Sequence, residues 1–174
     1  MQICLSELFN RIDDPRKYEI PVEFDSLKML RDTYPITEKK PVDLTLTHLG
    51  GKKIRMNAEI QMTLEIPCAR CLEPVSVPFE ILVDTQLELP ETPDQEVEES
   101  EEPYIDGYQL DVDALVRNEL FVHMPLRVLC KEDCKGICNK CGANLNVNTC
   151  DCDTRSLDPR MAVIQDIFKQ FKEV

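Results

Sequence analysis

Residues 41–68 read PVDLTLTHLGGKKIRMNAEIQMTLEIPC, an alternation of apolar and polar residues broken at a glycine pair. Val42, Leu44 and Leu46 alternate with polar residues, Gly50-Gly51 interrupts, and Ile54, Met56, Ala58, Ile60, Met62, Leu64 and Ile66 then alternate without a break. A strand points successive side chains to opposite faces, so this period-two pattern predicts two half-buried strands joined at the glycine pair. Beyond CARCLEP the alternation resumes on odd numbers, through Val75, Val77, Phe79, Ile81 and Val83. A third antiparallel strand therefore follows, and the three make a meander.

Upstream, Tyr18, Ile20, Val22 and Phe24 alternate in KYEIPVEF and predict another strand. A helix is expected from Ser6, with Leu8, Phe9 and Ile12 on one face, and a turn or short helix up to Tyr34. Downstream, LDVDALVRNELFVHMP predicts a helix with Asp111 as N-cap, Val112, Leu115, Val116 and Leu120 on its apolar face, and Pro125 closing it. The chain ends in DPRMAVIQDIFKQFKEV, where Asp158 can cap, Pro159 suits a first turn, and Met161, Ile164, Ile167, Phe168 and Phe171 form a stripe. The fold class expected is α+β. A β-rich domain carrying CARCL covers 1–90, an acidic linker or loop 91–108, and a helix, a cysteine-rich zinc element and a C-terminal helix share 109–174.

The formal net charge is −13, but the acidity is local. Residues 84–113 hold 12 acids and no Lys or Arg, leaving 21 acids against 20 bases elsewhere. Within that window ETPDQEVEESEEP, residues 91–103, has a single aliphatic residue. It cannot bury enough apolar area to offset its ordering entropy, which makes it a solvated tether or an acidic arm for a basic partner. No run reaches the roughly 18–20 apolar residues of a membrane helix, and MQICLSELFNRIDD lacks the basic-then-apolar order of a secretory leader. The expected location is the cytoplasm.

In a reducing compartment, nine cysteines favour metal or redox use over disulfides, and their odd number disfavours a pure disulfide framework. Six lie within LCKEDCKGICNKCGANLNVNTCDCD, residues 129–153. CNKCG is the clearest ligand pair, because Cys138 and Cys141 converge across a tight turn and Gly142 permits the dihedral that the turn needs. Cys130 and Cys134 are favoured to complete a compact site. Cys150 and Cys152, past an eight-residue loop, are alternative ligands. One structural Zn²⁺ per chain is expected, contributing about 10–16 kcal/mol in small peptides. Four thiolates leave no open position for water activation, and His48 and His123 read as ordinary histidines. No nucleophile, base and acid set is legible, and no small-molecule substrate is expected.

The second pair, Cys68 and Cys71 of CARC, lies between strands, whereas a redox motif would sit at a helix N-terminus. Lys52, Lys53 and Arg55 cluster at the hairpin turn, and with Arg70 they form a candidate RNA- or partner-binding group. Arg in particular suits a phosphate oxygen.

CARCLEP, then LC-x3-C-K-G-I-C-x2-C-G-A-N-L-N and C-D-C, then DPR, resemble in that order the YceD family over nearly the whole chain. The resemblance implies a non-enzymatic ribosome-biogenesis factor needed for accumulation or processing of the large-subunit (23S) rRNA. It implies as partners that rRNA or its precursor, and ribosomal protein L32 or another basic ribosomal protein. It marks Cys68, Arg70, Cys71 and Leu72 as the family's central motif, with a packed turn as one role for Cys68 and Leu72. Two other readings stand beside it: a thiol redox protein using Cys68 and Cys71, and a zinc-stabilised protein-interaction module without RNA contact.

Overall fold

The computed structural model describes residues 1–10, 12–29, 32–90 and 102–152. The chain divides into two compact units, Met1–Pro67 with Pro74–Val128, and Cys68–Glu73 with Leu129–Val174. This division crosses the boundaries expected from composition. The predicted helix at 111–125 groups with the sheet, and CARCLE groups with the cysteine-rich segment.

In the first unit the strands, in chain order, are β1 (Gln2–Cys4), β2 (Arg16–Ile20), β3 (Ser26–Met29), β4 (Asp32–Lys39), β5 (Val42–Gly50), β6 (Lys53–Pro67), β7 (Pro74–Glu88), β8 (Ile105–Asp106) and β9 (Gln109–Asp111). A 3-10 helix spans Leu5–Asn10, and one α-helix, α1, spans Val112–Val122. The spine of the sheet is β6. It pairs over its full length with β7, while β5 takes residues 53–59 of its other edge and β4 residues 62–64. The order β2-β5-β6-β4-β3, with β7 on β6, completes an antiparallel six-stranded sheet. A smaller sheet runs β1-β9-β8.

The expected meander is present in the expected register of faces. Gly50 pairs Lys53 at the turn, and Met56, Ile60 and Leu64 of β6 are fully buried. Ile60 faces Ile81, Met62 faces Phe79, and Ala58 lies between Leu44 and Val83. That apolar face meets Leu5 and Leu8 of the 3-10 helix and Leu115, Val116 and Leu120 of α1 in one core. Burial of such side chains, each worth roughly 1.5–3 kcal/mol, is what fixes the register, since a one-residue slip would turn the whole face to water.

The cap of α1 is the predicted one. Asp111 accepts from the N–H groups of Asp113 at 3.0 Å and Ala114 at 3.2 Å. Where a turn or short helix was expected before Tyr34, the chain forms the hairpin β3–β4. Only Leu27 of these two strands is fully inside, so the hydrophobic alternation that would have marked them is faint. The helix expected from Ser6 is shorter and tighter, a 3-10 segment, and the strand expected through Phe24 ends at Ile20.

In the second unit the described residues 129–152 form turns and one isolated bridge, Ile137 to Asn144, without a helix. Of the expected α+β fold, the described residues show mostly antiparallel sheets with one α-helix and a cysteine-rich C-terminal segment. The predicted C-terminal helix and the acidic segment 91–101 lie outside them. Among the described residues no helix is long and apolar enough to cross a membrane.

Candidate metal centres

Two turns of the second unit are built alike. In CARCL the N–H of Leu72 donates to the Cys68 carbonyl at 3.0 Å, and the N–H of Cys68 donates to the Glu73 carbonyl at 2.8 Å. In CNKCG the N–H of Gly142 donates to the Cys138 carbonyl at 2.9 Å, and the N–H of Cys138 donates to the Ala143 carbonyl at 2.8 Å. The residue after the second cysteine has a positive φ in both, 63° at Leu72 and 73° at Gly142. Gly adopts this conformation freely, whereas in Leu the Cβ crowds the next carbonyl. Each turn therefore holds two sulfurs on the same side of a tight loop.

Around these turns eight cysteines gather as two groups of four. Cys68, Cys71, Cys130 and Cys134 have their sulfurs within 4.8 Å of one another, and so do Cys138, Cys141, Cys150 and Cys152. In the first group the Cys68 and Cys134 sulfurs are 3.8 Å apart and those of Cys71 and Cys130 3.5 Å. A disulfide would need about 2.05 Å. A tetrahedron of sulfurs about 2.3 Å from one ion has edges of roughly 3.8 Å, so the donor set fits a single metal ion.

The grouping differs from the one drawn from spacing. Cys130 and Cys134 meet the distant pair Cys68 and Cys71, and Cys138 and Cys141 meet Cys150 and Cys152. Spacing favoured sequence neighbours, but the three residues between Cys134 and Cys138 include Gly136 at a φ of 79°, and the chain turns away there. A Cβ on Gly136 would stand 3.0 Å from the Arg70 carbonyl, so glycine is needed for both conformation and space. Ile137 then donates its N–H to that same carbonyl at 3.1 Å.

The groups differ in exposure and share an electrostatic problem. Three of the first four cysteines are buried, and one of the second four. Desolvation pushes the Cys68 thiol up, but N–H groups of Cys71, Arg70 and Cys130 directed at the sulfur outweigh it and bring it to about 6. Cys138 is likewise brought to about 6, by the N–H groups of Cys141 and Lys140. Cys130 is pushed up to about 12, by desolvation and then by the neighbouring thiols. Cys152 also rises to about 12, through Cys141 and desolvation. Four thiolates this close repel one another, and a divalent cation is the chemistry that relieves that repulsion.

The cations singled out from sequence are each engaged within the chain. Arg70 donates from Nη1 to the carbonyls of Cys134, at 2.7 Å, and Glu132, at 3.3 Å. In the first unit Arg55 forms a two-pronged pair with Asp84, at 3.0 and 2.7 Å, and Lys53 lies 3.9 Å from Glu88. Lys52 donates to the Tyr108 hydroxyl at 2.8 Å and sits 4.8 Å from the ring centroids of Phe9 and Tyr108. His48 is buried, with Nε2 3.1 Å from the Gly51 carbonyl, and His123 is the α1 C-cap. Leu72, for which a packed turn was one reading, is 64% exposed.

Sequence reasoning missed Asn144 and Asn146. Asn144 donates from Nδ2 to Glu73 at 3.1 Å. Asn146 donates from Nδ2 to the Cys134 sulfur at 3.3 Å and accepts the Lys135 N–H at Oδ1 at 2.8 Å. Only their place in ANLN, directly after the CNKCG turn, could have drawn attention to them.

Fold and site together define a class: an antiparallel β protein with a cysteine-rich unit of metal-knuckle geometry. Within that class the chain belongs to the YceD family, described as large ribosomal RNA subunit accumulation protein YceD, whose model matches residues 56–168. It is 23% identical over 177 residues to the chloroplastic large ribosomal RNA subunit accumulation protein YCED homolog 1 of Arabidopsis thaliana, covering 84% of this chain and 54% of that protein. The homologue of the same name from Zea mays is 24% identical over 159 residues, with 74% and 53% covered. The protein YlbN of Bacillus subtilis is 24% identical over 162 residues, with 90% of each covered. The chain thus spans about half the length of the chloroplastic relatives and most of the bacterial one. No solved structure matches it.

Proposed function

We propose that this protein is a non-enzymatic factor of the cytoplasm that promotes accumulation of the large-subunit rRNA by holding a basic ribosomal protein on the maturing particle. The observation that carries the reading is the family match over residues 56–168, to proteins named for large-subunit rRNA accumulation. Charge selects the kind of partner. The acidity gathered in residues 84–113 attracts a basic protein, while the nearly neutral remainder carries no excess of positive charge for naked phosphate. In this reading the thiol groups take zinc in a structural role, since four protein sulfurs would fill a tetrahedral ion and leave no position for a substrate. That speaks for a scaffold and against a free redox pair at Cys68 and Cys71.

Direct rRNA contact through Lys52, Lys53, Arg55 and Arg70 is the second reading, favoured by the exposure of Lys53 and Arg55 beside their carboxylate partners. Phosphates would have to displace Glu88 and Asp84.

Depletion of the protein in its native cell, with precursor and mature rRNA measured, tests the function. Large-subunit rRNA should fall relative to small-subunit rRNA, and an unchanged ratio rejects the proposal. Ultraviolet crosslinking of a Lys53→Glu, Arg55→Glu variant separates the two readings. Association and crosslinking left unchanged by the two substitutions reject direct contact through this face and support the protein partner, whereas loss of the rRNA crosslink supports the second reading.

A further inference from the structure

We infer that the cysteine-rich unit carries two closed tetrathiolate zinc centres, one on Cys68, Cys71, Cys130 and Cys134 and one on Cys138, Cys141, Cys150 and Cys152, coupled through Asn146. The inference concerns metal loading and stands whether or not the ribosomal reading does. Its first support is the repetition of one turn. CARCL and CNKCG share both backbone hydrogen bonds and the positive φ after the second cysteine, although one offers Leu at that position and the other Gly. A Leu held there spends conformational energy to reproduce the shape that aims two sulfurs at one point. What CNKCG is for, CARCL is for as well.

The sulfur separations give the second support. Edges of 3.5 and 3.8 Å suit a single ion with ligands about 2.3 Å away, and an all-sulfur tetrahedral set selects zinc among abundant divalent ions. Each group supplies four ligands, so neither needs to borrow from the other. The ninth cysteine, Cys4, belongs to the other unit.

The coupling rests on where Asn146 lies. It belongs to the loop between Cys141 and Cys150, which the second centre closes. Yet its Nδ2 reaches the Cys134 sulfur of the first centre at 3.3 Å. Its Oδ1 is held by the Lys135 N–H, and its own N–H by Asn144 Oδ1 at 2.9 Å, so the side chain is oriented from both ends. Leu145 adds a backbone bond to the Gly136 carbonyl at 2.9 Å. A donor aimed at a ligand sulfur stabilises its charged form, and partners of this kind change metal affinity by roughly 10–100-fold. Zinc in the second centre orders the loop that presents this donor, and thereby tightens the first.

The test uses the full chain, purified in reductant and reloaded with zinc alone. Native mass spectrometry should count two zinc ions in the wild type and one in each of Cys71→Ser and Cys150→Ser. A wild-type count of one or none overturns the assignment, and this count decides even if a cysteine variant fails to fold. For the coupling, zinc transfer to a chromophoric chelator is followed in wild type, Asn146→Ala and Asn146→Asp. The first centre should release zinc about 10-fold faster in Asn146→Ala, and faster again with a carboxylate beside the sulfur. Cys150→Ser should accelerate release from the first centre in the wild-type background but add little to Asn146→Ala. Release rates within twofold of wild type for both Asn146 variants overturn the coupling.

Discussion

Arg70 donates from Nη1 to the backbone carbonyl of Cys134 at 2.7 Å, joining the CARC turn to a segment more than sixty residues later. The second bond, to the Glu132 carbonyl at 3.3 Å, fixes the same segment. A residue that sequence alone presents as a phosphate contact is therefore occupied in holding the cysteine-rich unit together. Arg70→Ala should destabilise that unit by about 1–2 kcal/mol, the range for a charge-assisted hydrogen bond partly open to water. Amide hydrogen exchange over residues 130–138 should rise, while exchange in β6 stays as it was. If exchange is unchanged and rRNA association is lost instead, Arg70 acts on a phosphate.

Leu72 and Gly142 occupy equivalent positions, so Leu72→Gly isolates what the leucine side chain is for. Removing the Cβ relieves a conformation that costs an L-residue roughly 1–2 kcal/mol, and little packing is lost from a side chain 64% exposed. Urea unfolding of the zinc-loaded protein should show a gain of about 1 kcal/mol, partly offset by the added freedom of the unfolded chain. A loss of stability would mean that Leu72 packs after all. A gain in stability with weaker ribosomal association would make Leu72 a partner contact.

Legibility followed the strength of local signals. The faces of β5, β6 and β7 were readable because their apolar residues alternate without exception from Ile54 to Ile66, and α1 because Asp111 caps a regular stripe. The hairpin β3–β4 was not. Tyr34 and Ile36 are only half-buried, and Pro35 lies within β4, so neither pattern nor propensity announces a strand. The knuckle at Cys138 was readable from its glycine, and its twin at Cys68 was hidden by the leucine in that place. The pairing of CNKCG with Cys150 and Cys152 was legible only as the alternative ligand set, and that of CARC with Cys130 and Cys134 was not legible. Cys71 and Cys130 are brought to 3.5 Å by tertiary structure across 59 positions, which spacing cannot encode.

Zinc removal should act on one unit before the other. The ladder between β6 and β7 is backed by a core that includes Ile60, Leu64 and Leu115, whereas residues 129–152 hold few backbone bonds of their own. With a strong chelator at neutral pH, the N–H groups of Ile137, Cys138 and Gly142 should exchange within the dead time, and those of β6 should stay protected. Loss of protection in both sets at once would show that the sheet depends on the metal.

Burial ranks two neighbouring residues of the sheet in opposite ways. Ile60 is fully buried opposite Ile81, and Leu82, one residue further along β7, is 81% exposed. Ile60→Ala should cost about 2–5 kcal/mol through lost transfer energy and the cavity left behind, and Leu82→Ala within about 0.5 kcal/mol. Chemical unfolding midpoints with unchanged m-values measure both. A comparable loss in the two variants would put the core on the wrong face of the sheet.

Asp113 sets how stability depends on pH, because its carboxylate is buried and accepts from the Met1 amine at 2.5 Å and the Glu23 N–H at 3.2 Å. Desolvation alone would raise this carboxyl, but the amine and the N–H outweigh it and hold it below the usual carboxylate value. The amine in turn is raised above its ordinary value, first by its hydrogen bond to Asp113. A depressed carboxyl contributes stability that is present above its unfolded value of about 3.9 and lost as pH falls through the lower folded one. A raised amine contributes stability that is present below about 8 and lost as pH rises through the higher folded value. The pair should therefore stabilise the first unit most between about pH 5 and 8 and fail on both sides. Asp113→Asn should lower stability across that plateau and flatten both limbs, as read by urea midpoints from about pH 3 to 10. A variant that keeps the full slope on the acid side would assign it to another carboxylate.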